Sequence, residues 1–104
     1  MRIISGKFKG IKLQLPINKK IRPLKDMVKE SVFNFLIHSN KTSFQLQNSL
    51  ILDLYSGVGS FGLECLSRGA KKVTFIEKDE EAIKFLEKNI EKLKEKKKNY
   101  NFLL

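Results

Sequence analysis

A glycine-rich segment in the middle of the chain is the feature that most limits how it can fold. Residues 53–62 read Asp-Leu-Tyr-Ser-Gly-Val-Gly-Ser-Phe-Gly, which places Gly57, Gly59 and Gly62 at G-x-G-x-x-G spacing. An apolar run comes directly before this segment and a helical pattern directly after it, which is the context in which the motif is informative. Glycine at the first two positions permits a positive φ and close approach to a ligand, and Gly62 permits tight packing of helix on strand. The segment predicts a strand–turn–helix unit with a ligand site at the turn.

The central region continues as alternating strands and helices. Residues 49–54 predict a buried strand, because Leu50, Ile51, Leu52 and Leu54 are nearly continuous. Next come a predicted helix over 60–68, which Gly69 ends, and a predicted strand over 73–77. A second helix begins at the acids at 79–81 and is predicted to continue through a solvated, lysine-rich end at 94–98. Residues 100–104 predict the start of a third strand. This order predicts an α/β protein with a parallel sheet, and two such units make a poor domain alone. We therefore expect the front part of a longer protein, or a truncated gene product.

The first part of the chain differs from the centre in charge. Residues 1–41 hold ten basic and two acidic side chains, whereas residues 42–91 hold six basic and eight acidic ones. Short apolar pieces around the glycines at 6 and 10 predict a hairpin-like turn. A helix is predicted from Leu24 to His38, with an apolar stripe of Val28, Val32, Phe35 and Leu36 that Phe33 and Ile37 broaden. The basic excess favours contact with a polyanion; the alternative is that lysine is simply the preferred surface residue of this protein. The sequence predicts a basic extension over 1–41 and an α/β domain over 49–104.

Two acids near the glycine turn indicate the type of ligand. Glu77 ends the second predicted strand, 20 residues after Gly57, where a carboxylate can accept the hydroxyls of an adenosine ribose. Asp53 ends the first strand, where it would repel the pyrophosphate of a dinucleotide, because like charges about 4 Å apart cost ~4 kcal/mol at an effective dielectric near 20. The same carboxylate would attract the ammonium of S-adenosylmethionine. The sequence favours S-adenosylmethionine, held by Asp53, Gly57, Gly59, Gly62 and Glu77, over a nicotinamide or flavin dinucleotide.

Three segments in order resemble the RsmD-like methyltransferases, which modify the exocyclic N2 of a guanine in small-subunit (16S) ribosomal RNA. The segments are Arg2–Gly10, the Arg22-Pro23 to Leu36 stretch with its Lys-Glu-Ser-Val-Phe-Asn-Phe-Leu end, and Asp53–Glu64. Leu24 and Lys29 stand where the commonest family pattern has Thr and Arg. The resemblance implies a Rossmann-like class I methyltransferase fold, here reaching only the second strand–helix unit, with a small hairpin-plus-helix extension. It also implies S-adenosylmethionine as the cofactor.

The resemblance further implies how such a protein meets its substrate. Ribosomal RNA, free or in an assembling small subunit, would be bound through phosphate by Arg2, Lys7, Lys9, Lys12 and Arg22. The family's catalytic Asp/Asn-Pro-Pro-aromatic segment has no counterpart, because the prolines of these 104 residues are Pro16 and Pro23. No catalytic residue is therefore assigned. A non-catalytic basic RNA-binding remnant is the alternative function, and a dinucleotide oxidoreductase is a third.

Several other classes are not expected from the composition. Apolar runs are at most three residues long, so no membrane span is expected, and the first residues lack the apolar stretch of a signal peptide. Cys65 is the sole cysteine, which rules out an intrachain disulfide, suits a reducing cytoplasm and offers no multi-cysteine metal site. It lies between leucines of a predicted helix and is expected to be a small core residue. We expect a cytoplasmic, metal-independent protein that is monomeric at full length.

Overall fold

The computed structural model describes residues 1–17, 25–38 and 45–103. The elements in these ranges are α1 (Asp26–His38), β1 (Leu50–Leu54), α2 (Ser60–Ser67), β2 (Lys72–Ile76), α3 (Glu80–Leu93), a short 3-10 turn (Lys97–Asn99) and β3 (Tyr100–Leu103). The three strands form one parallel sheet in the order β1-β2-β3, with Asp53 opposite Phe75 and Phe75 opposite Phe102. Since all three run the same way, the sheet has a carboxyl end, where the strands finish, and an amino end, where they start.

Helices α2 and α3 each lead from the carboxyl end of the sheet back to its amino end. Their apolar side chains join those of the strands in one buried cluster that includes Leu63, Leu66, Val73, Phe75 and Leu86. The predicted helix signals are confirmed: Asp79 caps α3 by accepting the N–H of Ala82 at 2.9 Å, and Gly69 follows α2 with φ +109°. In α3, Leu86, Ile90 and Leu93 are buried and Ile83 is half-buried.

Strand β1 is covered on one face only, so the prediction of a wholly buried strand was wrong. Asp53 is buried and Ile51 is half-buried, whereas Leu50, Leu52 and Leu54 are 74%, 58% and 56% exposed. Alternate residues of a strand point to opposite faces, and among the described residues the helices that follow β1 pack on the Asp53 face. The continuous apolar run therefore shows that both faces of the strand are apolar. In the described residues, nothing packs over the face of Leu50, Leu52 and Leu54.

The first residues form a hairpin-like turn, as predicted, but its arms pair only through a bridge rather than as strands. Arg2 and Lys12 are bridged antiparallel, and the N–H of Ile3 donates to the carbonyl of Ile11 at 2.9 Å. Ile3 and Leu13 are buried in the same cluster as the sheet and the helices. We call residues 1–15 the hairpin and residues 6–10 its tip. The division into an extension over 1–41 and a domain over 49–104 stays a prediction.

Helix α1 buries only part of the predicted stripe: Phe33 is buried as predicted and Leu36 is half-buried. Val28, Val32 and Phe35 are exposed, and the buried side chains are Lys29 and Phe33. The start predicted at Leu24 lies outside the described residues. The apolar periodicity was misleading because a lysine with a buried acid partner can occupy the core-facing side, and such a partner is invisible within the helix itself.

The end of α3 was also predicted wrongly. The helix stops at Leu93, and Lys94 adopts a left-handed conformation with φ +54° instead of continuing a solvated helix through 94–98. The 3-10 turn then leads into β3, which confirms the predicted third strand at Tyr100. Residues 94–99 consequently lie at the amino end of the sheet, between the end of α3 and the start of β3.

Candidate cofactor-binding site

The glycine turn lies at the carboxyl end of the sheet, between β1 and α2. Gly57 and Gly59 have φ of +59° and +93°, the left-handed region that glycine enters at no steric cost. A Cβ on Gly59 would lie 2.3 Å from Cδ1 of Leu86, so the turn also packs closely on α3. The hydroxyl of Ser56 donates to the carbonyl of Ile76 at 2.9 Å, which ties the turn to the end of β2. The positive φ angles predicted for these two glycines are confirmed.

Asp53 lies beneath the first turn of α2. Its Oδ2 accepts the backbone N–H of Gly62 at 3.0 Å, and the residue is buried. Burial raises the pKa of this carboxyl to about 6, the Gly62 hydrogen bond opposes that rise, and the nearby charge of Glu77 adds to it. A Cβ on Gly62 would meet the Phe75 ring at 2.3 Å and the Asp53 carboxylate at 2.9 Å, so Gly62 permits the close packing that its position in the motif predicted.

Glu77 closes the turn from the neighbouring strand. Its Oε1 accepts the N–H of Gly57 at 2.8 Å, and its Oε2 accepts those of Asp79 at 2.9 Å and Lys78 at 3.1 Å. A carboxylate has about four lone-pair positions, so three backbone donors leave room for about one more. A ribose that placed both hydroxyls on this carboxylate would have to displace one of these donors.

A cavity of about 380 Å³ opens beside Glu77 at the carboxyl end of the sheet. It is lined by Leu54, Tyr55, Ile76, Glu77 and Lys78. Tyr55 is strongly exposed and has φ +55°, an unusual conformation for an aromatic residue. Of these five residues, only Glu77 was predicted from the sequence. The other four could have been predicted from their place at the ends of β1 and β2, because ligands in open α/β sheets bind beyond the carboxyl ends of the strands.

A buried asparagine holds the glycine turn from α3. The side-chain amide of Asn89 donates to the carbonyls of Val58 at 3.0 Å and Gln14 at 3.1 Å, and its Oδ1 accepts the N–H of Gln14 at 2.6 Å. One side chain thus joins the turn, the hairpin and α3. Asn89 was not predicted from the sequence, because its partners are 31 and 75 residues away in the chain.

A second buried polar network joins the hairpin and α1 to α2. The ammonium of Lys29 lies 3.3 Å from Oε1 of Glu64 and donates to the carbonyl of Arg2 at 2.7 Å. Glu64 also accepts the N–H groups of Ile4 at 2.9 Å and Ser5 at 3.0 Å. The guanidinium of Arg68 completes the network through Nε, 2.8 Å from Oε2 of Glu64. Lys29 and Glu64 are fully buried, so their charges are neutralised by each other and by these donors.

The basic residues predicted to contact RNA lie on the hairpin. Arg2, Lys9 and Lys12 are exposed, and Arg2 lies 3.7 Å from a carboxylate oxygen of Asp26. Lys7 is exposed too, but its ammonium lies 3.0 Å from Oε2 of Glu95 and over the half-buried ring of Phe8. Arg22 lies outside the described residues. The structure thus brings Arg2, Lys7, Lys9 and Lys12 to one hairpin.

Other classes of site find little support in the described part of the chain. Cys65 is buried as predicted, and burial, with the carboxylates of Asp53 and Glu64, raises the pKa of its thiol to about 12, which leaves it protonated and unreactive. In residues 1–17, 25–38 and 45–103 there is no group of three or more His, Cys, Asp or Glu side chains able to hold a metal ion. None of the helices in those ranges has the length and apolar character needed to cross a membrane.

Solved structures place the fold among the Rossmann-like class I methyltransferases. The structure titled "Putative methyltransferase yhhF from Escherichia coli" superposes with a TM-score of 0.79 at 34% identity, over 99% of this chain and 51% of that one. The precorrin-6y C5,15-methyltransferase of Geobacter metallireducens superposes with a TM-score of 0.65 over 86% of this chain, and at 16% identity it shows the fold alone. The predicted fold class is confirmed as the first part of such a domain.

Sequence comparison identifies the family. The chain matches the family described as "Conserved hypothetical protein 95", the RsmD family, over residues 1–103, and belongs to it. It is 44% identical over 80 residues to the Ribosomal RNA small subunit methyltransferase D of Haemophilus influenzae, covering 77% of this chain and 38% of that protein. It is 39% identical over 79 residues to the Escherichia coli protein of the same name, covering 76% of this chain and 37% of that one. The chain thus spans well under half the length of these relatives.

Proposed function

We propose that the carboxyl end of this sheet binds S-adenosylmethionine. The observation that supports this proposal is the Asp53 carboxylate, buried beside the glycine turn with Glu77 close enough to raise its pKa further. A site with two acids at this position attracts the ammonium and sulfonium of S-adenosylmethionine and repels a pyrophosphate. Lys78 also lines the cavity, so the neighbourhood is not purely acidic. Its ammonium is exposed, however, and is therefore screened by water more strongly than the buried Asp53.

The residues present fit the parts of this cofactor. Asp53 would receive the methionine ammonium, and Glu77 would receive a ribose hydroxyl at its remaining lone pair. The apolar side chains of Leu54 and Ile76, with the ring of Tyr55, would pack on the adenine. When bound, S-adenosylmethionine supplies a methyl group whose bond to sulfur breaks, with the electron pair left on sulfur, as the bond to the accepting nitrogen forms and that nitrogen loses a proton to solvent.

We further propose that the acceptor is the N2 of a guanine in small-subunit ribosomal RNA. The support is the name of the relatives, ribosomal RNA small subunit methyltransferase D, and the exposed cations of the hairpin, Arg2, Lys9 and Lys12. Lys7 would contribute once phosphate competes with Glu95, and Arg22 stays a prediction. These cations would contact phosphate and position the RNA, while sequence would be read elsewhere. Because the family's Pro-Pro-aromatic segment is not in these 104 residues, we assign cofactor binding to this chain and methyl transfer to a protein of the relatives' length.

The second candidate is RNA binding without catalysis. It is favoured by the net charge of +10. Under this function Glu77→Ala would leave RNA affinity unchanged with or without added cofactor. The stability lost with its three backbone hydrogen bonds would be the same in both conditions. Under the first function Glu77→Ala would weaken cofactor binding, because it removes an acceptor for the ribose and releases the Gly57 N–H.

Two experiments test the proposal in order. Isothermal titration calorimetry of the 104-residue chain should show binding of S-adenosylmethionine and weaker or absent binding of NAD⁺, whereas tight NAD⁺ binding would overturn the cofactor assignment. A protein of the relatives' length should then transfer label from methyl-labelled cofactor to under-methylated small-subunit RNA. Label on guanine N2 supports the substrate proposal, and label on cytosine or adenine contradicts it.

A further inference from the structure

The lysines after α3 share one surface with the hairpin tip. The ammonium of Lys7 at the tip lies 3.0 Å from Oε2 of Glu95, and the ammonium of Lys92 donates to the carbonyl of Lys12 at 2.7 Å. The tip is also tied to the last residue of α2, since the N–H of Lys7 donates to the carbonyl of Ser67 at 2.9 Å. Both helices end at the amino end of the sheet, so these contacts place two basic segments together there, although they are about 80 residues apart in sequence.

This surface carries many positive charges, and their ammonium groups are exposed to solvent. Residues 91–99 contain five lysines and two glutamates, and Glu95 is already paired with Lys7. Lys94, Lys96, Lys97 and Lys98 are exposed, as is Lys9 in the tip. We call these five side chains the far-end lysines. The left-handed turn at Lys94 directs the chain across the amino end of the sheet. A continuing helix would instead have carried these lysines away from the sheet and the hairpin tip.

We propose that the far-end lysines bind RNA phosphates remote from the nucleotide that is modified. This inference rests on the proposed function, and it extends the RNA contact from the hairpin to the segment after α3. The 14 residues of α3 run from the cofactor end to this surface, a length of about 21 Å. Phosphates bound at the far end therefore lie roughly 20 Å from the site of methyl transfer. Such contacts add affinity through counterion release and leave the chemistry at the turn unchanged.

The alternative is that these lysines only keep the protein soluble. Two lysines of α3 provide a matched control for this alternative. Lys84 and Lys88 are exposed lysines of this helix; Lys84 lies in the half nearer the cofactor end, and Lys88 lies just past the middle. The test compares Lys97→Gln/Lys98→Gln with Lys84→Gln/Lys88→Gln, which remove the same total charge. RNA affinity is measured with a transcribed small-subunit RNA between 50 and 300 mM KCl, and circular dichroism confirms that each variant is folded.

The far-end pair should weaken binding about tenfold at 0.1 M salt and reduce the slope of log affinity against log salt by roughly 1.4–1.8, the value for two phosphates. The control pair should change the slope by less than half as much. Equal slopes for the two pairs of substitutions, or a far-end variant with unchanged RNA affinity, would overturn the proposal. It would also be overturned if vesicles of anionic lipid, added at the same concentration of negative charge as the RNA, displaced the RNA from the protein. Calorimetry with S-adenosylmethionine on the same variants separates this outcome from a failure of the cofactor assignment, because the far-end pair should leave that affinity unchanged.

Discussion

The two ends of the sheet differ in both charge and construction. At the carboxyl end, residues 77–81 contain four acids and one lysine, and both Asp53 and Glu77 accept backbone N–H groups at 2.8–3.1 Å. At the amino end, residues 91–99 contain five lysines and two glutamates, and most of the lysines are exposed. The acids are held by these hydrogen bonds before a ligand arrives, whereas the lysines of the segment are exposed to solvent, and of them Lys92 donates to the carbonyl of Lys12. The difference indicates a preorganised small-molecule site at one end and an adaptable polyanion surface at the other.

The hairpin joins these two ends, because it contacts the structure along the lengths of α2 and α3. Asn89 links its second arm to the glycine turn, and Glu64 links its first arm to the middle of α2. The tip then reaches the amino end at Ser67. The relative placement of cofactor and RNA therefore depends on two buried side chains, which are the most direct places to perturb it.

The largest effect is expected from Glu64→Leu. This change leaves the Lys29 ammonium buried without its carboxylate and leaves the N–H groups of Ile4 and Ser5 without an acceptor. Removing one partner of a buried ion pair typically costs about 3–5 kcal/mol. Urea denaturation should show a loss of this size, while Glu87→Leu on the exposed side of α3 should cost little. A loss below about 1 kcal/mol for Glu64→Leu would show that the hairpin is not held by this network.

A smaller effect is expected from pH on the affinity for S-adenosylmethionine. The pKa of Asp53 is raised to about 6, so the carboxyl is ionised at pH 7.5 and mostly protonated at pH 5. Since the ammonium of the ligand favours the ionised form, affinity should fall about tenfold between these pH values. In the free protein the sign is opposite: the folded state binds more protons than the unfolded state between about pH 4 and 6, so this group makes the fold more stable as pH falls.

Calorimetric titrations at several pH values check this prediction, with Asp53→Asn as the reference. The variant should show weaker binding at pH 7.5 and little dependence on pH in this range. A flat profile for the wild type would contradict an ionised Asp53 as the acceptor of the ammonium.

An effect of similar size, on stability rather than on affinity, is expected from Gly62→Ala. The added Cβ would lie 2.3 Å from the Phe75 ring and 2.9 Å from the Asp53 carboxylate, so α2 must move away from the sheet. Overpacking of this kind costs roughly 1–3 kcal/mol of unfolding free energy. Measured in a Phe75→Leu background by urea denaturation, the cost of Gly62→Ala should be smaller. An equal cost in both backgrounds would show that the ring does not set the requirement for glycine.

Local signals in the sequence predicted most of the elements around the site. The G-x-G-x-x-G spacing, the Asp79 cap and Gly69 each act within a few residues, and each is confirmed by a turn, a cap or a positive φ. The proximity of Asp53 and Glu77 also followed from topology, because consecutive parallel strands bring their carboxyl ends together.

The errors came from interactions between distant parts of the chain. Most of the stripe predicted for helix α1 is exposed, because the acid that buries Lys29 lies 35 residues away, on α2. Strand β1 was predicted to be buried on both faces because apolar periodicity reports which faces are apolar and does not show what covers them. The hydrogen bond from Asn89 to the glycine turn was not predicted, because its partner Val58 lies 31 residues away in the chain.

The central claim is electrostatic, and the ligand dependence of Asp53→Asn tests it most directly. The affinities of the wild type and the variant for S-adenosylmethionine and for NAD⁺ are measured by calorimetry at pH 7.5. If the buried carboxylate selects a cationic ligand, the variant should bind S-adenosylmethionine roughly tenfold or more weakly, in line with about 1.5–3 kcal/mol for a hydrogen bond to a charged group, and should bind NAD⁺ no more weakly than the wild type. Loss of NAD⁺ affinity with unchanged S-adenosylmethionine affinity would contradict the account.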